Sequence, residues 1–87
     1  MRKAQNLIWN DWNRNHIKKH KVTVNEIEEV YRSKTIKAPS YLGRNMIFGK
    51  TKRGRFLTIV ISYDYQRKPY VVSARDMSKK ERAKYER

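Results

Sequence analysis

Apolar residues recur along this chain with two different periods, and each period marks a type of element. In the stretch 55–65, "RFLTIVISYDY", Leu57, Ile59 and Ile61 alternate with Thr58, Val60 and Ser62. A period of two is that of a strand with one face on a core, and it places the three larger residues under whatever covers the sheet. "RNMIFGKT" (44–51) and "PYVVSARD" (69–76) read as strands on either side of it, with Pro69 tolerable at a first strand position. "KRG" and "DYQRK" are the turns between them. Upstream the period lengthens. "KVTVNEIEEVYRS" (21–33) buries Val24, Ile27, Val30 and Tyr31 on one helical face. Its start is marked by Thr23 and Glu26 at capping-box spacing, and by Val22 and Ile27 as a hydrophobic staple.

The remaining segments carry weaker patterns. "NLIWN" (6–10) reads as a first strand, and "DWNRNHIKKH" (11–20) as a helix with Trp12, His16, Ile17 and His20 in its apolar row. "TIKAPSYLGR" (35–44) contains Pro39 and Gly43 and reads as a connection with room for a short edge strand. The C-terminal "SKKERAKYER" (78–87) opens with a second capping box, Ser78 and Glu81. It is polar nearly all round, which predicts a marginal helix. The order is one strand, two helices, a three-stranded meander and a helical tail. That implies an α+β fold, with an antiparallel sheet of about four strands and the two N-terminal helices on one face. At 87 residues the chain is expected to form a single domain, 1–87.

Charge changes the picture from fold to function. Lys and Arg number 22 against 8 Asp and Glu, a formal net charge of +14. Between Val30 and Tyr63 stand eight basic residues (Arg32, Lys34, Lys37, Arg44, Lys50, Lys52, Arg53, Arg55) and no acid. Such a field captures polyanions, nucleic acid first among them. A membrane surface is disfavoured because no basic helix has a broad apolar face. Cysteine is absent, which removes disulfides and thiolate chemistry. The start of the chain lacks the apolar stretch of a signal peptide, and a soluble cytoplasmic protein is expected.

"GKTKRGR" (49–55) invites comparison with a phosphate-binding loop. The upstream glycine, Gly43, is one residue too far away for that motif, and a strand, not a helix, follows Thr51. No nucleotide cofactor is therefore expected. His16 and His20 have half of a metal-site spacing without a third ligand nearby, and Asp11, Asp64 and Asp76 are scattered, so no metal is expected. If the chain cuts nucleic acid, RNA is the favoured substrate, because its 2′-OH can attack the adjacent phosphorus without a metal. Cations must then stabilise the charge that develops at phosphorus, and arginine's planar fork suits phosphate. Candidates stand at strand ends: Arg55, Arg75, Arg44 and Lys50, with Tyr63, Tyr70 and Tyr85 as proton donors or base-stacking platforms. Strict alternation puts Arg55 on the Leu57 face, under the helices, unless a bulge at Gly54 or the strand end turns it out.

Three stretches together resemble one family: "WNDWNRNHIKKHKVTVNEIEEVY", "GRNMIFGKTKRGRFLTIVIS" and "YVVSARDMSKKERAKY". In order and spacing they look like the BrnT-like toxins of bacterial toxin–antitoxin pairs, which share the RelE-like fold. The resemblance covers nearly the whole chain. It implies a metal-independent ribonuclease that cleaves messenger RNA and arrests translation, with the ribosome a further candidate partner. It also implies a cognate DNA-binding antitoxin that covers the toxin. Carried over by position, Arg55 and Arg75 are the best functional matches, and Lys50 and Arg44 come next. With the acid-free basic stretch, this puts Arg55 and Arg75 on the scissile phosphate and Lys50, Lys52, Arg53 and Arg44 on flanking phosphates. Tyr63 or Tyr85 would assist proton transfer. Two positions depart from the family pattern: Asn10 stands where Asp is usual after Trp, and Lys21 where glycine is usual after the second histidine. Lysine is strained there if the position requires φ > 0. Two rivals remain: a non-catalytic basic nucleic-acid-binding module, and an interaction protein whose basic surface docks an acidic partner.

Overall fold

The computed structural model describes residues 6–63 and 67–86. The basic start at 1–5, the expected end of the long strand at 64–65 and part of the turn after it lie outside the described residues. Two helices come first, α1 (Asp11–Lys18) and α2 (Val24–Tyr31). Four strands follow, β1 (Ile36–Pro39), β2 (Asn45–Lys50), β3 (Phe56–Ser62) and β4 (Tyr70–Asp76), and then a third helix, α3 (Lys79–Glu86). The strands pair antiparallel in sequence order, β1-β2-β3-β4. The α+β class and the three-stranded meander β2–β3–β4 agree with the sequence reading.

The fourth strand is not the expected one. It is β1, the short edge strand for which the 35–44 connection left room, whereas 6–10 contributes only a parallel bridge from Ile8 to Tyr70 on the free edge of β4. A strand needs a continuous partner, and the chain leaves β4 at once to start α1. There Asn10 caps the helix, in a reciprocal capping box with Asn13.

α2 begins as its sequence dictates. Thr23 Oγ1 accepts from Glu26 N–H at 3.1 Å, and Glu26 Oε1 accepts from Thr23 N–H at 3.0 Å. Val22 and Ile27 are both buried as the staple. α1 is rotated from the expected orientation. Its core-facing residues are Asn13 and Ile17, while Trp12 is 56% exposed and His20 is exposed as well. The cause is Asn13, whose Nδ2 donates to the carbonyls of Ile8 and Val71, both at 2.9 Å. These bonds satisfy a fully buried amide and fix the helix's rotation against β4.

Leu57, Ile59 and Ile61 face α1 and α2 as expected, in a core with Ile17, Val22, Ile27, Val30, Ile47, Val71 and Ala74. Gly49 belongs to this packing. A Cβ there would lie 2.7 Å from Val30 Cγ1, so α2 approaches β2 too closely for any side chain. The opposite face of β3 is buried too, since Thr58, Val60 and Ser62 are all buried. α3 lies on this second face at Thr58, and it forms without a buried residue of its own. Among the described residues, no helix is long and apolar enough to cross a membrane.

Candidate nucleic-acid interface on the α3 face

Antiparallel register sets which cations can meet. On the face away from α1 and α2, Phe56 pairs with Lys50, and Thr58 pairs with both Phe48 and Arg75. α3 brings Glu81, Arg82 and Tyr85 onto the same face. Glu81 is fixed first: its Oε1 accepts from Thr58 Oγ1 at 2.9 Å and from Ser78 N–H at 2.9 Å, the latter closing the second capping box. Arg75 then forks onto it, Nη1 to Oε1 at 2.7 Å and Nη2 to Oε2 at 2.8 Å. The Arg75 guanidinium holds the Glu81 carboxyl far below its ordinary range, at about 2, against the opposing pull of burial. The same bond raises Arg75 further.

Beside this pair stands a cation–aromatic cluster. The Arg82 guanidinium carbon lies 4.0 Å from the centre of the Phe56 ring, and Lys50 Nζ lies 5.5 Å from it. Tyr85 meets the same ring edge-on at 6.0 Å, and its hydroxyl donates to the Lys34 carbonyl at 3.4 Å. Arg75, Lys50 and Tyr85, three of the residues singled out in the sequence, therefore share one face. The sequence reading missed Arg82, Phe56 and Glu81. The Ser78–Glu81 capping box fixed where α3 starts, and Tyr85, four residues on from Glu81 and three on from Arg82, falls on the same side of that helix. Nothing local gave the sheet face it lands on.

Arg55 points the other way, as strict alternation requires. Its Nε donates to Asp76 Oδ1 at 2.7 Å, and its Nη2 to Asp76 Oδ2 and the His20 carbonyl, each at 3.3 Å. Nη1 donates to the Lys21 carbonyl at 2.9 Å and to Glu26 at 3.0 Å. A guanidinium has five N–H groups, and here each has an acceptor. The bond to Asp76 leads the causes that raise Arg55 and lower Asp76. Any phosphate at Arg55 would compete with two carboxylates.

The other candidates are dispersed. "GKTKRGR" forms the β2–β3 hairpin: Thr51 and Arg55 exchange backbone and side-chain bonds, and Gly54 takes φ +92 at the turn. At its tip Lys52 N–H donates to Glu29 at 3.1 Å. Arg53 lines a cavity of about 340 Å³ together with Glu26 and Glu29, so α2's acids offset the tip's charge. Arg44 follows the short turn Tyr41–Gly43, its guanidinium 5.1 Å from the Tyr41 ring. Tyr63 packs against the helix-side core and sits near Tyr31, whose pKa is raised first by burial and then by Tyr63. Tyr70 donates to Asn10 Oδ1 at 3.1 Å. A larger cavity, about 440 Å³, is lined, among the described residues, by Ile8, Trp9, Asn10 and Tyr70, none of them charged. Among the described residues, no group of three or more His, Cys, Asp or Glu is placed to hold a metal ion.

The α3 face, built on β2, β3 and β4, thus brings Arg75, Lys50, Arg82 and Tyr85 together. No family model matches the chain, and no curated protein or solved structure matches it.

Proposed function

We propose that the chain is a metal-independent endoribonuclease of RelE-like fold, a BrnT-like toxin that cleaves messenger RNA in the cytoplasm and is neutralised by a cognate DNA-binding antitoxin. The observation that carries this reading is the convergence of Arg75, Lys50, Arg82 and Tyr85 on the α3 face around Thr58 and Phe56. The formal charge of +14 supplies the attraction for RNA.

In this reading the scissile phosphate docks at Arg75, displacing part of the Glu81 contact. The ribose 2′-oxygen forms a bond to phosphorus, its proton passes to water, and the bond from phosphorus to the 5′-oxygen breaks. A 2′,3′-cyclic phosphate and a free 5′-hydroxyl result. Arg75 and Lys50 stabilise the charge that builds on the non-bridging oxygens, where preorganised cations act most strongly. Tyr85 gives up its bond to the Lys34 carbonyl, passes its proton to the leaving 5′-oxygen and regains one from water. Glu81, held near 2, is a weak base, and its part is to orient Arg75. Arg44, Lys52 and Arg53 hold flanking phosphates. Arg55 and Tyr63 face the helices, and here they support the frame.

The test is incubation of purified protein with RNA in EDTA. Cleavage to cyclic-phosphate ends is expected, and Arg75→Ala should abolish it. Intact RNA that is nonetheless bound would leave the non-catalytic binding module. One observation favours that rival: the acid best placed beside Arg75 is a poor proton acceptor.

A further inference from the structure

α1 carries a surface that the cleavage reading does not use. Trp12, Asn15, His16 and Lys19 are spaced i, i+3, i+4 and i+7, so they form one row along the helix. Because Asn13 and Ile17 take the core side, this row faces solvent. The Trp12 and His16 rings stack 4.7 Å apart and within 9° of parallel. His16 thus braces the indole in one orientation, and Trp12 remains 56% exposed. A shallow cavity of about 160 Å³ is bounded by these four side chains. Arg14, Lys18, His20 and Lys21, all exposed, surround the row, and Asp11 is the one acid on the helix.

We infer that the outer face of α1 is a second binding surface, for single-stranded RNA, on which an unpaired base stacks against Trp12 while Lys19 and its neighbouring cations take the flanking phosphates. An exposed, braced aromatic ring among cations is the combination that binds single strands with little sequence preference. In a duplex the bases are already stacked on one another and offer no free face. A membrane is a poor fit, because the row holds one aromatic residue and no broad apolar stripe. α1 packs on the opposite side of the sheet from α3, so this surface is separate from the proposed cleavage face.

Binding here does not require that the α3 face cleave anything, and the test keeps the two apart. The full chain is titrated into a fluorescein-labelled dodecamer of 2′-O-methyluridine, which lacks the attacking hydroxyl, with fluorescence anisotropy as readout. Trp12→Ala should weaken binding about tenfold, and Trp12→Phe, which keeps a ring, by much less. Lys19→Ala should lower the slope of log K against log salt by about one ion, leaving ring stacking in place. Binding to duplex RNA should be the same for Trp12→Ala and wild type. Because Trp12 is exposed, all three variants should melt with the wild type, which circular dichroism checks. Equal affinity of Trp12→Ala and wild type for the single strand overturns the inference. So does an equal loss on duplex RNA, or a loss confined to binding of poly-glutamate, which would assign the face to an acidic protein.

Discussion

Two arginines in this molecule, Arg55 and Arg75, hold carboxylates on opposite faces of the same sheet, and they are held very differently. Arg55 joins three segments at once: the 20–21 turn through two carbonyls, α2 through Glu26 and β4 through Asp76. Arg75 has, among the described residues, one carboxylate partner, Glu81, on a helix with no fully buried residue. The first arrangement is closed, because every donor is used and three segments would have to part to free it. The second is open on one side, because a phosphate could replace a single carboxylate. What separates them is strand parity, which turns Arg55 toward α1 and α2 and Arg75 toward α3.

The largest expected effect lies on the open side. Arg75→Ala should lower RNA cleavage by at least about a hundredfold, the usual consequence of removing a preorganised charge from an oxyanion-stabilising site. Its urea midpoint should fall too, by less than that of Arg55→Ala, because one carboxylate and not two loses its partner. Arg55→Ala should weigh the other way, losing about 2–3 kcal/mol of stability because Glu26, Asp76 and two carbonyls are left without their donor. Urea denaturation followed by circular dichroism, alongside gel assays at a temperature where both variants are folded, separates the two outcomes. If Arg55→Ala stays as stable as wild type and loses cleavage, the comparison is inverted and Arg55 belongs in the site.

The carboxylate on the open side gives a smaller effect with a definite sign. Glu81's folded pKa, about 2, lies below its ordinary value of 4.5. Its contribution to stability is therefore complete above that ordinary value and is lost as pH falls from there through about 2. With Arg75 partly solvent-screened, the loss should be about 1–2 kcal/mol. Glu81→Gln keeps the reciprocal bond to Ser78 and removes the charge. It should flatten this acid limb of the stability profile, and it should tighten RNA binding by removing an anion from beside Arg75. A profile unchanged from wild type would mean that the ion pair does not hold α3.

How much of this was legible in the sequence depends on the range of the forces involved. α2, the strands β2, β3 and β4 and both capping boxes follow from contacts within a few residues, and they stand where the pattern puts them. The parity of Arg55 was legible for the same reason. β1 was less so, because a four-residue strand with Pro39 at its end carries almost no alternation and exists through its pairing with β2. The rotation of α1 was hidden, since it is set by Asn13 bonding to Val71, a partner 58 positions away. α3 looked marginal because its stabilising partners, Thr58 and Arg75, lie on the sheet and not in the helix. The α3 face was half legible: its strand cations and the start of its helix showed in the sequence, but the sheet face on which that helix lands did not.

The smallest effect tests the turn on which the closed side rests. After α1, Val22 N–H bonds the Ile17 carbonyl at 3.3 Å and Lys21 N–H bonds the Lys18 carbonyl at 2.9 Å. This is the pair of bonds that ends a helix through a left-handed residue, and Lys21 is that residue, with φ 56. The accompanying hydrophobic contact is supplied by Val22 and Ile17, both buried. Glycine fits this position without the Cβ clash that a side chain meets there, although it also frees the unfolded chain. Lys21→Gly should therefore stabilise the protein by about 0.5 kcal/mol, read as a small rise in urea midpoint with an unchanged slope. The Lys21 carbonyl that receives Arg55 stays in place, so the gain should persist in the Glu81→Gln background, whose change lies on the other face. In the Arg55→Ala background the gain should change, because the turn then loses the guanidinium bound to its two carbonyls. If the gain is equal in both backgrounds, the turn and Arg55 are independent and the closed side is two separate contacts.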